Sequence, residues 1–503
     1  MPEEYKKYDV DFKSLRNNEY WIEIHTFYKE NIEKIAPLID RIQEKYGMDF
    51  ETARDSILYE IVNAHAGTDH RKKLFSKKRY SWSLKYILFF IFSLFSGFIN
   101  LLISPFLKNR NFDILYEEMW EENSWFSRFY KYIDIELPKD KTRAILFDHP
   151  APAKPFFKKP RISMWNDEVI NRRYGAFIFD WKEVLRVLWK EKFSFFRLWK
   201  FSKDFNFTYI YFRFLRKILL YKTQVQKVKA KNLIMAGDYY WNPVKYFQFK
   251  KSISNIILIQ HNIKASGIRQ RAFLYADYYF THSEDSNYKM EGVGKTKLIS
   301  VGSFQLIPFL QKKEIEYDIL FINQTVYDKL KEGTPLLDQE KLQKEHNILI
   351  ENFYKYIYKN KDLKAIYIAK PGYTNREPFL SVEEKFKDLE NVKFTSAYGS
   401  NMFDLVQKSK IIINMYSSVG REAYGLDKKV LWINYNHSCT IFNQNVDFED
   451  LHILLDNSYD AFKSRIDLFL SNSDEVDQHF EKLKKKYMNI QENSANIILD
   501  SIF

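Results

Sequence analysis

From about residue 140 onward, short apolar runs of strand length alternate with stretches of helical period, and this alternation predicts the architecture of most of the chain. A first series comprises Ala144 to Phe147, Ala176 to Phe179, Leu233 to Met235, Ile256 to Ile259, Tyr278 to Thr281 and Lys297 to Val301. A second begins with Asp318 to Ile322 and continues with Ala365 to Ala369, Lys410 to Met415 and Val430 to Ile433. Strands separated by helices wind into parallel sheets through right-handed crossovers. Two such series, joined near Gly302 to Lys313, predict an α/β chain of two Rossmann-like domains, residues 111–305 and 306–475, followed by a C-terminal helix over 476–503. The cleft between facing domains of this kind is the default ligand site.

The first 85 residues follow a different pattern. They are charged and helical in period, with Ile32, Ile35, Leu38, Ile39 and Ile42 on one stripe, and read as an accessory helical region. Next comes Tyr86 to Leu107, which holds no charge and is dominated by Phe, Ile and Leu. Its length would suit a transmembrane helix. Ser96-Gly97 at its middle, and Asn100 and Pro105 in its second half, favour a shallower placement. A crossing with the more basic flank inside would put everything after residue 110 on the far side, away from cytoplasmic nucleotides. The expectation is therefore a membrane-associated segment over 86–110, monotopic or hairpin-like in the cytoplasmic leaflet. His70-Arg71-Lys72-Lys73, Lys77-Lys78-Arg79, Lys85, Lys108 and Arg110 would meet anionic headgroups. The alternative is a buried helical hairpin covering the globular part.

Composition narrows the chemistry. With 78 basic and 65 acidic residues the chain carries +13, which favours an anionic partner without choosing among nucleic acid, anionic lipid and nucleotide sugar. Nucleic acid is not the expected partner, because the aromatics interleaved with cations, as in Lys190 to Lys203, fall at spacings that suit packed helices. Only 14 glycines occur in 503 residues, well under the usual ~7%, and no glycine-rich nucleotide loop is present. Phosphate binding must then rely on hydroxyls, helix ends and basic side chains. The single cysteine, Cys439, excludes a disulfide framework and a cysteine metal cluster, and the charged first thirty residues lack a secretory core. A cytoplasmic protein, peripheral or monotopic at the inner face of the membrane, is the expectation. Asp9-Val10-Asp11, the one Asp-x-Asp, lies in the charged N-terminal segment and reads as solvated surface, so no metal site is expected.

One segment speaks to function more directly. The run Ile411-Ile412-Ile413-Asn414-Met415-Tyr416 breaks at Ser417-Ser418-Val419-Gly420-Arg421-Glu422 and is followed by Val430-Leu431-Trp432-Ile433. A β-branched run followed at once by two serines predicts a helix N-terminus at a sheet edge, with unpaired N–H groups and hydroxyls offered to an anion. Ser418 alone would be explained as a helix cap. A capping box, however, needs Glu or Gln three residues later, where Arg421 stands, and the acid arrives one position late as Glu422. Glu422 is thereby expected to be available to another partner, for instance a ribose.

Two Rossmann-like halves with Ser417-Ser418 and Glu422 opening a helix in the second resemble a GT-B glycosyltransferase. More narrowly, the chain is similar to the bacterial surface-carbohydrate enzymes: Kdo transferases, sialyl- and polysialyltransferases, and CDP-glycerol glycerophosphotransferases. Those groups carry an upstream His-Pro dipeptide where this chain has Lys370-Pro371, and often Gln-His-Gly where it has Gln260-His261-Asn262. The resemblance covers about residues 230–440. It implies a metal-independent transferase without a cofactor, using a nucleotide sugar, a CMP-sugar by preference, as co-substrate. The implied acceptor is a surface glycan or glycolipid. On this basis Ser417, Ser418 and Lys370, supplemented by Gln324 and Thr325, stabilise the departing phosphate, and Glu422 holds the ribose. His261 is the candidate base, with Asp238 competing for the role. Transfer from CDP-glycerol or CDP-ribitol, and a non-catalytic membrane scaffold suggested by the Lys370 and Asn262 departures, are the rival readings.

Overall fold

The computed structural model describes residues 3–10, 19–65, 79–107, 109–118, 126–147, 169–171, 178–191, 207–236, 242–261, 273–284, 296–323, 339–369, 379–397, 400–415, 417–437, 451–471 and 473–503. Within them lie two parallel sheets. The N-terminal sheet holds β1 (Arg110–Glu117), β2 (Arg143–Phe147), β3 (Val169–Asn171), β4 (Val228–Met235), β5 (Ile253–Ile259), β6 (Tyr278–Thr281) and β7 (Lys297–Ser300), in the order β3-β2-β1-β4-β5-β6-β7. The C-terminal sheet holds β8 (Tyr317–Ile322), β9 (Ala365–Ala369), β10 (Val392–Ser396), β11 (Ser409–Asn414), β12 (Lys429–Ile433) and β13 (Ile453–Leu454), in the order β10-β9-β8-β11-β12-β13. Both follow the doubly wound order in which the third, second and first strands run one way and the fourth onward the other. The two-domain α/β architecture is GT-B-like, as the alternating pattern predicts.

The helices around the sheets include α1 (Glu19–Glu30), α2 (Ile32–Tyr46), α3 (Phe50–His65), α4 (Arg79–Ile103), α5 (Trp181–Glu191), α6 (Phe207–Gln224), α7 (Gln339–Lys359), α8 (Ser418–Gly425), α9 (Asp474–Tyr487) and α10 (Ser494–Ile502). Nearly every apolar run of the sequence forms the strand it predicts. The differences are instructive. Central strand β1, Arg-Asn-Phe-Asp-Ile-Leu-Tyr-Glu, escapes the pattern because Asp113 and Glu117 interrupt its apolar positions, and the short edge strands β3, β10 and β13 are missed as well. Of the run Ala176 to Phe179, residues 176 and 177 lie outside the described residues, and Ile178 and Phe179 are not in a strand.

The N-terminal helices share one core with the first domain. Ile35, Ile39 and Ile42 of α2 and Ile57, Leu58 and Ile61 of α3 pack with Phe214 and Ile218 of α6 and with Leu233 of β4. Three buried carboxylates pin the same joint. Glu60 accepts from Arg213 Nε at 2.7 Å and pairs with Lys217; Asp55 accepts from Arg54 Nε at 2.9 Å and from Tyr275; Glu191 accepts from Tyr46 and Tyr211 at 2.9 and 2.8 Å. The sequence reads residues 1–85 as an accessory helical region; within it, Asp55 and Glu60 of α3 are spent on this contact.

The C-terminal segment divides its loyalty. Where the sequence predicts one helix there are two. Val476, Phe480, Leu483 and Tyr487 of α9 join the core of the second domain, whereas Ala495, Ile498, Leu499 and Ile502 of α10 cover the opposite face of the first sheet, against Ile114, Ile234 and Ile257. The crossing back is hydrogen-bonded: the Asn489 N–H donates to the His282 carbonyl at 3.0 Å, and Ser494 Oγ to the Val301 carbonyl at 2.6 Å. Gly302, at φ +79°, runs so close to this connecting segment that a Cβ would lie 2.4 Å from Ile490 Cα. Only glycine meets both demands.

Candidate functional site

Doubly wound sheets present ligands at the carboxyl ends of the strands where the order reverses. In the second domain that point lies between β8 and β11, and β11 leads directly into α8. Ile411, Ile412 and Ile413 are fully buried, which fixes the strand on both faces and brings the chain out at Asn414. Asn414 then shapes the turn: its Oδ1 accepts from the Ser417 N–H at 3.1 Å and its Nδ2 donates to the Ser417 carbonyl at 3.0 Å. Ser417, rather than Ser418, is the helix cap, with its hydroxyl accepting from the Val419 N–H at 3.3 Å. Ser418, half-buried on the first turn, makes no side-chain hydrogen bond among the described residues. Gly420 lets the helix lie against the sheet, since a Cβ there would meet Asn414 Nδ2 at 2.2 Å and the Trp432 ring at 2.7 Å.

With Ser417 as cap, Glu422 falls in the second turn and points away from the helix mouth, toward the first domain. It is 4% exposed. The Ser303 hydroxyl donates to its Oε1 at 3.3 Å and Gln305 Nε2 approaches the same oxygen at 3.5 Å. Glu422 is thus engaged in protein contacts at the domain junction, where the sequence expectation leaves it available to a ribose. Burial pushes its carboxyl up to about 7; the nearby Arg128 guanidinium and the Ser303 hydrogen bond oppose the shift without cancelling it.

Gln305 ties this acid to the other half. The same Nε2 lies 3.5 Å from the His261 carbonyl at the end of β5, and Gln305 Oε1 accepts from Arg128 Nε at 2.9 Å. His261 and Glu422, chosen from the sequence on separate grounds, therefore meet through one amide. Gln260, immediately before His261, is a brace: its Oε1 accepts from the His282 N–H at 2.9 Å, and its carbonyl is 3.0 Å from His282 Nε2. Asp238, Gln324, Thr325 and Lys370 lie outside the described residues. Asp9 of the Asp-x-Asp stands 3.4 Å from His25 and 3.7 Å from Lys29, far in sequence from any strand end, and Asp11 lies outside the described residues.

The first domain has its own reversal point, between β1 and β4. Here stand residues that sequence reading passed over. Glu117 and Glu118 close β1, both fully buried; Lys245 Nζ lies 2.6 Å from Glu117 Oε1. Tyr130 spans the two strands, donating to the Glu117 carbonyl at 2.7 Å while its oxygen accepts from the Ala236 N–H at 2.8 Å. Arg128, Ser303 and Gln305 were likewise unmarked, because none belongs to a periodic segment or a recognisable motif. The paired acids Glu117-Glu118 at an apolar run's end were the one available signal.

No protein-family model matches the chain, and no curated protein matches it. Solved structures do resemble it. The UDP-GlcNAc 2-epimerase of Methanocaldococcus jannaschii, in complex with UDP-GlcNAc and UDP, is 11% identical over 78% of this chain and 99% of its own, with a TM-score of 0.43. A glycosyltransferase from Rickettsia africae is 12% identical over 78% and 98%, with a TM-score of 0.40. TarM is 13% identical over 57% and 58%, with a TM-score of 0.34. Likenesses this distant decide neither activity nor donor. The GT-B-like assignment stands on the two parallel sheets and their strand orders.

Chemically, the arrangement offers an anion a serine-lined helix start on one domain. At the junction it sets a carboxyl that titrates near neutrality beside a guanidinium, an amide and a histidine backbone. Such a helix start stabilises negative charge through its N–H groups and dipole.

Proposed function

We propose that this chain is a glycosyltransferase that moves a sugar from a nucleotide-activated donor, by preference a CMP-sugar, to a surface polysaccharide or glycolipid acceptor. One observation carries the reading. The serine-opened helix α8 stands at the strand-order reversal of the second sheet, and its Glu422 reaches the junction where Gln305 holds the His261 carbonyl. A donor bound at the helix start and an acceptor held on the first domain would then meet where the two domains touch.

In this reading the Ser418 hydroxyl and the first N–H groups of α8 bind the nucleotide phosphate. They stabilise the charge that develops as the glycosidic bond to phosphate breaks. His261 takes the proton of the attacking hydroxyl, for which an imidazole is suited near neutral pH. Glu422 and Arg128 set the approach of the domains rather than the ribose. The choice of CMP rests on the resemblance of the serine pair to Kdo- and sialyltransferase sequences.

Incubation of the full chain with CMP-, UDP- and GDP-sugars and with CDP-glycerol, followed by identification of the nucleotide released, tests the proposal. Release of CMP, lost in His261→Ala with donor affinity kept, is the expected result. Release of CMP from CDP-glycerol alone would transfer the assignment to phosphotransfer. Failure of every nucleotide to raise the melting temperature would sink the transferase reading altogether.

A further inference from the structure

Helix α4 is built inside out. At about 100° per residue, Phe89, Ser93, Ser96 and Asn100 share one side, and all four are buried. The opposite side carries Ile87, Leu88, Ile91, Phe92, Leu94, Phe95, Phe98, Leu101 and Leu102, each 40–63% exposed. Ser96 and Asn100 are spent on the protein. Ser96 Oγ accepts from the Phe179 N–H at 2.6 Å, Asn100 Oδ1 accepts from the Trp181 N–H at 3.3 Å, and Asn100 exchanges hydrogen bonds with Gln226 at 3.1 and 3.2 Å. Gly97 receives Val184 of α5, which a Cβ would approach to 3.3 Å. Residues Ile87–Phe106 have a mean hydropathy of 2.3. An apolar surface this long facing outward marks a partner rather than a fold requirement.

The neighbouring surface identifies that partner. On α5, Val184 turns toward α4, Leu185 and Trp189 are 51% and 73% exposed, and Arg186 and Lys190 occupy the flank farther from α4. These two stand with Lys222 around Lys251, and the carboxylates among them are Glu183, 3.3 Å from Arg186 Nη1, and Glu191 beside Lys190. Burial first, and then these cations, hold the Lys251 ammonium down at about 8, against the opposing pull of Glu183. An apolar stripe ending in tryptophan and then in cations is complementary to an anionic bilayer surface.

We propose that α4 lies flat on an anionic membrane, its stripe among the acyl chains and the Arg186–Lys251 cluster on the headgroups. A transmembrane crossing does not fit. One whole side of α4 is docked on α5 and α6, which would have to enter the hydrocarbon with Lys182, Glu183, Arg186 and Lys217. The inference is independent of the transferase reading.

The test uses the full chain with vesicles of phosphatidylcholine alone or mixed with phosphatidylglycerol. Cosedimentation with the mixed vesicles is expected. Phe95→Ser and Phe98→Ser should each weaken it about tenfold, and Arg186→Gln and Lys251→Gln each about fivefold, with unchanged thermal melts for the two Phe variants, whose side chains are exposed. Cys439 is the only cysteine. A Phe98→Cys label in a Cys439→Ser background should therefore report an apolar shift on mixed vesicles, while a label at Asp388→Cys stays unmoved. No association with either vesicle overturns the proposal. So does a dimer in sedimentation velocity that Phe95→Ser disperses, which would assign the stripe to a second copy.

Discussion

Ser417 and Ser418 are neighbours with different duties. Ser417 spends its hydroxyl on the Val419 N–H and its backbone on Asn414, whereas Ser418 makes no side-chain bond among the described residues. Ser417→Ala should lower stability by about 1 kcal/mol through loss of the cap. Ser418→Ala should leave urea unfolding unchanged and abolish nucleotide binding by calorimetry. Unaltered affinity in Ser418→Ala would remove the hydroxyl from the site. The serine pair was legible in the sequence, since a β-branched run broken by two serines is how a buried strand hands over to a helix. Which serine caps was not, because two adjacent serines offer the same cap signal and the boundary turns on how the Asn414 amide clamps the Ser417 backbone.

At the scale of elements, most of the strands announce themselves through uninterrupted buried runs, as Ile411-Ile412-Ile413 does for β11. Strand β1 does not, although it is central to its sheet. Its Asp113 sits in the middle of the strand, where Lys231 stands 2.7 Å away, and its Glu117 is neutralised by Lys245 at 2.6 Å. Those partners are distant in sequence, so the local pattern reads as polar. The N-terminal helices pose the same problem, for their charges belong to a joint with α6. Glu60→Gln should cost about 3 kcal/mol, because Arg213 and Lys217 would be left facing a buried neutral amide. Chemical denaturation measures this, and a loss below a few tenths would mean that the ion pairs only decorate the apolar contact.

For the whole molecule the decisive feature is the junction, where Glu422 from the second domain meets Ser303, Gln305 and Arg128. A carboxyl raised to about 7 in the folded state keeps its proton over a range in which the unfolded chain has lost it. Between its ordinary range and about pH 7, stability therefore falls as pH rises, by roughly 3 kcal/mol in all, and levels off above that. Glu422→Gln should flatten this slope in unfolding measured from pH 5 to pH 8; parallel curves for the two proteins would remove Glu422 as the cause. The alternating apolar runs by themselves determined that the chain folds as two parallel doubly wound halves, since burial on both faces of a sheet leaves a local signature. The serine turn and the long uncharged segment were equally plain. Only the tertiary structure decided that the N-terminal helices belong to the first domain, that the last helix returns to it, that α4 turns its polar side inward, and that Glu422 faces the domain junction. Each of these depends on a hydrogen bond or ion pair between residues far apart in the chain, and such pairs leave no period in the sequence.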